Sequence, residues 1–209
     1  AGAGYVSDGT TGQNVSNGGY GLAWSYGDSV QKYYSQGISD GLKTITGGSA
    51  ALLNNLSKSF GGQGGYQVGA YFASDNNRES QGSRSVLLNG QTLSEWSGKG
   101  LAADAKTGLE QLTNALAGDL RAAIDTIDLP GWAREQFAAL SSDATIDQLA
   151  QTVQAVNASK AALVSLGEVF PMLARLSDDA LSGLVKAAGG VQALSQSASA
   201  YYENFYTDT

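Results

Sequence analysis

Arg84-Ser-Val-Leu-Leu-Asn-Gly-Gln-Thr-Leu93 sets two apolar runs on either side of Asn89-Gly90. Both central residues of a tight type I′ turn need positive φ, and Asn-Gly supplies them, so this stretch predicts a β-hairpin. Upstream, Tyr66, Val68, Ala70 and Phe72 recur at every second position, the period of a strand with one buried face. The residues between, Ser74 to Ser83, are polar and predict a loop. Three strands at most emerge, and a sheet that small needs helical cover.

Downstream of Trp96 the period becomes helical. Thr107-Gly-Leu-Glu110 fits a capping box that opens a helix with Leu109, Leu112, Leu116, Leu120 and Ile124 inward. Asp128-Leu-Pro-Gly-Trp132 breaks it, and Pro130 suits the first turn of a short helix to Leu140. Thr145-Ile-Asp-Gln148 is a second capping box, leading Ile146, Leu149, Val153, Val156 and Leu163 until Gly167 and Pro171. Ser177 is a natural N-cap with Asp178 and Asp179 in the first turn, where the helix dipole favours negative charge. Leu181, Leu184, Val185 and Ala188 share one face, and Gly189-Gly190 offers a left-handed stop. A last helix carries Val191, Leu194, Ala198 and Tyr201 or Tyr202 into the cluster Tyr201, Tyr202, Phe205 and Tyr206.

Upstream of the strands, helical spacing runs from Val30 through Tyr33, Tyr34, Ile38, Leu42 and Ile45 to a predicted stop at Gly47-Gly48. A short further helix is predicted at Leu52, Leu53, Leu56 and Phe60, ended by Gly61-Gly62. Residues 1–27 are Gly, Ser, Asn and Thr with interspersed aromatics, which predicts a flexible arm with little regular structure before Asp28. The sharper reading is an arm whose aromatics dock on another part of the chain or on another subunit. The fold class expected is α+β and predominantly helical. A small antiparallel sheet over about residues 66–95 is covered by a C-terminal helical bundle. The divisions are 1–27 (arm), 28–60 (helical), 61–100 (sheet) and 101–209 (helical).

A chain of 209 residues with 42% hydrophobic side chains can bury a real core, and a mean hydropathy of −0.15 fits a soluble globular protein. The chain opens Ala-Gly-Ala-Gly and its single methionine is Met172, so it is expected to be a piece of a longer protein. A net charge of −7 argues against binding driven by phosphate neutralisation, which needs clustered Lys and Arg. No run of about 18 apolar residues occurs, so no transmembrane segment is expected.

With no histidine and no cysteine, Ser-His-Asp and Cys-His mechanisms are closed, as are thiolate and imidazole metal sites. Carboxylate chemistry, a Ser-Lys pair or oxygen-ligated metals remain. Gly61-Gly-Gln-Gly-Gly65 has the glycines of a phosphate cradle but lacks the Lys-Ser or Lys-Thr and the following helix, so it is read as a tight turn. Asp75-Asn-Asn-Arg-Glu79 offers oxygen ligands without the glycine and terminal glutamate of an EF-hand. Glu79 and Glu95 are a formal acid–base pair for a hydrolase, but nothing in the sequence ties them together. Asn14, Asn55 and Asn157 each open an Asn-x-Ser pattern, which is common by chance. No catalytic residue, cofactor or metal is assigned. The site candidates are Tyr201, Tyr202, Phe205 and Tyr206, whose rings fall on more than one helix face. A single core buries only one face, that of Leu194, Ala198, Tyr202 and Phe205, so the others are expected to pack on a partner.

The run from Asp178-Asp-Ala-Leu to Ala-Ser-Ala-Tyr-Tyr-Glu-Asn-Phe-Tyr-Thr-Asp resembles a segment of the tail tape-measure proteins of long-tailed bacteriophages and prophages. There a Gly-Gly or Gly-Leu helix start leads to a Tyr-Tyr-x-x-Phe-Tyr motif like that of residues 201–206. The block from Tyr66 to Trp96, with Leu101 and the Trp132 segment, is similar to the domain preceding that motif, so the resemblance covers about residues 60–209. The long helical repeats that measure the tail are absent. The resemblance implies a structural virion component, made in the host cytoplasm, that occupies the tail lumen, helps set tail length and leaves during DNA ejection. Its implied partners are tail-tip or tail-tube proteins and other copies of itself, with no specific nucleic-acid binding. The competing classes are a peptidoglycan-hydrolase module, which some tape-measure proteins carry, and a fragment of a secreted effector or adhesin.

Overall fold

The structure, a computed structural model, describes residues 2–7, 12–14, 36–75 and 78–206, with side chains at 41–72, 80–104 and 106–204. In chain order its elements are β1 (Gly2–Ser7), β2 (Gly12–Asn14), α1 (Gln36–Ser59), β3 (Tyr66–Asp75), β4 (Arg78–Leu88) and β5 (Gln91–Leu101). Helices α2 (Ala105–Ile124), α3 (Gly131–Ala138), α4 (Ile146–Val169), α5 (Asp178–Ala187) and α6 (Val191–Tyr206) follow, with a 3-10 turn at Leu173–Arg175 between α4 and α5. The fold is α+β. The chain divides into two compact units, Ala1–Ile127 with Ser142–Leu149, and Asp128–Ser141 with Ala150–Thr209.

In the first unit the Asn-Gly turn forms as the sequence predicts. Asn89 and Gly90 have φ of 52° and 80° and join β4 to β5 in two residues, with Leu88 opposite Gln91. Strand β3 pairs antiparallel with β4, and its alternating Tyr66, Val68, Ala70 and Phe72 are all buried. Two helices lie on that face. Leu42 of α1 and Leu112 of α2 close on Ala70 and Phe72, with Trp96, Leu101 and Leu109 packed at the margin. Leu116, Leu120 and Ile124 continue the buried stripe of α2. Arg84 of β4, opposite Trp96 on the same face, donates to Asp119 of α2, and its guanidinium sits over the Trp96 ring at 5.0 Å. Such a part-buried pair, stacked on an aromatic, fixes the angle of helix to sheet better than a free surface pair would.

The sheet is larger than the sequence predicts. Its order is β2-β1-β3-β4-β5. The described residues of the predicted Ser74–Ser83 loop are strand: β3 runs to Asp75 and β4 begins at Arg78. The period signal fails there because the buried positions are Ser80, Gly82, Ser83 and Ser85, where small side chains replace apolar ones. Gly82 is required: a Cβ there would stand 2.9 Å from the Tyr71 carbonyl oxygen. At the other edge, Gly2–Ser7 pairs with β3 through six residues and Gly12–Asn14 with β1. The arm, expected to hold little regular structure before Asp28, thus carries two short strands. A backbone ladder needs no apolar payload when the neighbouring strand supplies it, and this part of the arm docks on its own chain. Residues 15–35, which include Val30, Tyr33 and Tyr34, lie outside the described residues.

Helix α1 also departs from expectation. It runs unbroken through Gly47-Gly48 for 24 residues. Glycine inside a helix costs only about 0.5–1 kcal/mol relative to alanine, and the buried Leu42, Thr46, Ala50, Leu53 and Leu56 outweigh that. Gly48 is exposed, and a Cβ there meets nothing within 4 Å. Gly48→Ala is therefore expected to raise stability by about 0.5–1 kcal/mol in urea unfolding. A loss would show that the helix needs a break here.

Caps decide the other boundaries. α2 starts earlier than the Thr107 capping box predicts, because Asp104 takes the N-cap and accepts from the Thr107 backbone N–H at 2.8 Å. That backbone hydrogen bond holds the exposed Asp104 carboxyl below its ordinary pKa. The second capping box forms in both directions: Gln148 N–H donates to Thr145 Oγ1 at 3.3 Å, and Thr145 N–H to Gln148 Oε1 at 2.8 Å.

Candidate partner-binding surface

The aromatic end belongs to the second unit, and local rules place it there. Ser177 Oγ accepts from Ala180 N–H and starts α5. Gly189 and Gly190, with φ of 85° and 118°, stop it. Gly190 N–H donates to Val185 O at 2.8 Å and Gly189 N–H to Lys186 O at 3.1 Å, the two bonds of a Schellman motif. The chain then reverses into α6. The pair is anchored by buried Val185, Val191 and Leu194. Helix α3 joins α5 through Trp132 N–H donating to Ser182 Oγ and an exposed Lys186–Glu135 pair. The Trp132 side chain itself is buried with Ala133 and Phe137.

The two described rings of the aromatic end are about half exposed. At about 1.5 Å per residue α5 spans roughly 15 Å and α6 roughly 24 Å. Tyr201 is 50% exposed and Tyr202 45% exposed. Of the face expected to be buried, Leu194 is buried, Ala198 half-buried and Tyr202 about half exposed. Phe205 and Tyr206 end α6, and their side chains lie outside the described residues.

The structure adds residues that the sequence did not mark. Phe170, just after α4, places its ring 6.4 Å from that of Tyr201, tilted by 54°, within the range of a favourable aromatic contact. Val164 and Val169 on α4, and Met172 and Leu176 flanking the 3-10 turn, are exposed, Met172 by 74%. Six of the seven large apolar side chains exposed among the described residues thus lie between Val164 and Tyr202. The available signal was the apolar spelling of a connector, Val-Phe-Pro-Met-Leu, where polar turn residues are usual.

The remaining candidates do not converge. Gly61–Gly65 is a connector, in which Gly64 N–H donates to Ser57 Oγ and Asn89 N–H to Gly65 O. Asp75 and Arg78 face each other where β3 meets β4, with residues 76–77 outside the described residues. Glu95 is exposed on β5 opposite Ser85, six positions along β4 from Glu79. Their backbones are therefore roughly 20 Å apart, beyond the carboxylate separations of about 5–9.5 Å used in glycoside hydrolysis. Asn55 is exposed on α1, Asn157 lies half-buried on α4, and Asn14 lies on β2 with its side chain outside the description. Among the described residues no group of three acidic side chains could hold a metal ion, and no helix is long and apolar enough to cross a membrane. Comparison with protein-family models, with curated proteins and with solved structures gives no match.

Proposed function

We propose that this chain is a structural component of a phage tail, a folded region of a tape-measure protein, and that it performs no catalysis. What supports the assembly role is the concentration of exposed apolar side chains at the end of α4, the 3-10 turn and α6. Leaving a large apolar side chain in water forgoes about 1.5–3 kcal/mol of burial, and tyrosine and methionine are enriched at interfaces. What supports the tape-measure identity is the sequence resemblance carried by residues 178–208. In this reading Tyr201, Tyr202, Phe205 and Tyr206 pack on a tail-tip or tail-tube protein or on other copies of the chain. The negative charge keeps a protein that shares a channel with DNA from adhering to it.

The test is Tyr201→Ala with Tyr202→Ala in the parent gene. Both side chains are about half exposed, so the melting temperature of the isolated chain should fall by less than about 4 °C. The yield of assembled tails should fall at least about tenfold, the equivalent of roughly 1.4 kcal/mol of lost contact. Normal tail yield, or a collapse of chain stability, would overturn the assignment of this surface.

A further inference from the structure

Among the described residues, the sheet ends in a strand edge at β5. β5 is the last strand of the sheet, and no described residue hydrogen-bonds to the outer backbone of Ser94–Lys99. Native sheets blunt such edges, and here two irregularities do so, at Leu93 and at Gly100, where the register to β4 shifts. Gly100 has φ of 102°. Between these bulges lies a regular window, paired to β4 without interruption from Ser94 to Lys99.

The charges of that window have no partner within the sheet. Glu95 and Lys99 point to the same face, away from α1 and α2, and both are exposed. Four positions apart in a strand they are roughly 13 Å from each other, too far to pair. Across on β4 they meet Ser85 and Gln81, both uncharged. An antiparallel copy of the same strand centred on Ser97 changes this: Glu95 comes opposite Lys99 of the copy, and Lys99 opposite Glu95. Ser97 then faces Ser97, and Trp96 stands opposite Gly98, over which each chain's own Trp96 ring lies. Centring instead on residue 95 or 99 sets like charges against each other, which is destabilising.

We propose that two copies of this chain associate through antiparallel pairing of their β5 edges about Ser97, with two reciprocal Glu95–Lys99 pairs fixing the register. The bulges limit the contact to about five residues a side and so to a weak, specific dimer well below the area of a standard interface. This pairing does not depend on the tape-measure reading.

The experiment is sedimentation equilibrium of the full chain from about 10 µM to 1 mM at low salt. The wild type should dimerise. Glu95→Lys and Lys99→Glu alone should each weaken the dimer at least about tenfold, because each converts two attractive pairs into two repulsive ones. The double exchange, Glu95→Lys with Lys99→Glu, should return the dissociation constant to within about threefold. Both side chains are exposed, so unfolding is not expected to confound the variants, and circular dichroism verifies this. A chain that stays monomeric to 1 mM, or a dimer indifferent to the single exchanges, overturns the proposal. Association abolished by Tyr201→Ala with Tyr202→Ala but unmoved by the exchanges also overturns it, and assigns the contact to α6.

Discussion

Phe72→Ala should lower the stability of the first unit by about 3–5 kcal/mol, the range for removing a fully buried aromatic ring. The ring is 0% exposed and stands between the sheet and both covering helices, with Leu42, Ala70 and Leu112 around it. Gly108 of α2 comes so near that a Cβ there would lie 2.7 Å from the ring. The cavity is bounded by a helix backbone and a strand, which relax less readily than side chains do, so the cost belongs in the upper half of the range. Urea unfolding with hydrogen exchange on β3 and β4 measures it. A loss below about 1 kcal/mol would mean that this face of the sheet is not the core of the unit.

Asn54→Ala should cost roughly 2–4 kcal/mol, although it removes a polar side chain. Asn54 is buried on α1 and acts as a strand partner for Tyr66: its Nδ2 donates to Tyr66 O at 2.9 Å, and its Oδ1 accepts from Tyr66 N–H at 2.9 Å. Truncation leaves both backbone groups of a buried residue without these partners, each at about 1–3 kcal/mol. The neighbouring Asn55 is exposed and supplies the control, since Asn55→Ala should stay within about 0.5 kcal/mol of wild type. Equal effects at the two positions would show that the link from α1 to β3 carries no energy.

What was legible in the sequence is what local chemistry decides. The Asn89-Gly90 turn, the Thr145–Gln148 capping box, the Ser177 cap and the Gly189-Gly190 stop each satisfy backbone groups within a few residues. Asp104 was missed because two acceptors competed for one helix start, and the aspartate three residues before Thr107 took it. Non-local features were hidden. Ser80 and Ser83 read as loop residues, yet they are buried in a strand that the ladder to β3 and β5 defines. The Gly47-Gly48 break was overridden by the apolar face that α1 buries from Leu42 to Leu56. Of the candidate surface, the tyrosines stood out by type, but their exposure and the Phe170 contact follow from tertiary packing.

The most direct test of the tail assignment is mass spectrometry of phage particles purified from the bacterium that encodes the chain, before and after triggered DNA release. Peptides from residues 36–206 should be present in intact particles at a fixed low copy number relative to the tail-tube protein, and depleted from the particles after ejection. Their absence from intact particles, or an unchanged amount once the DNA has left, would contradict a protein that fills the tail lumen.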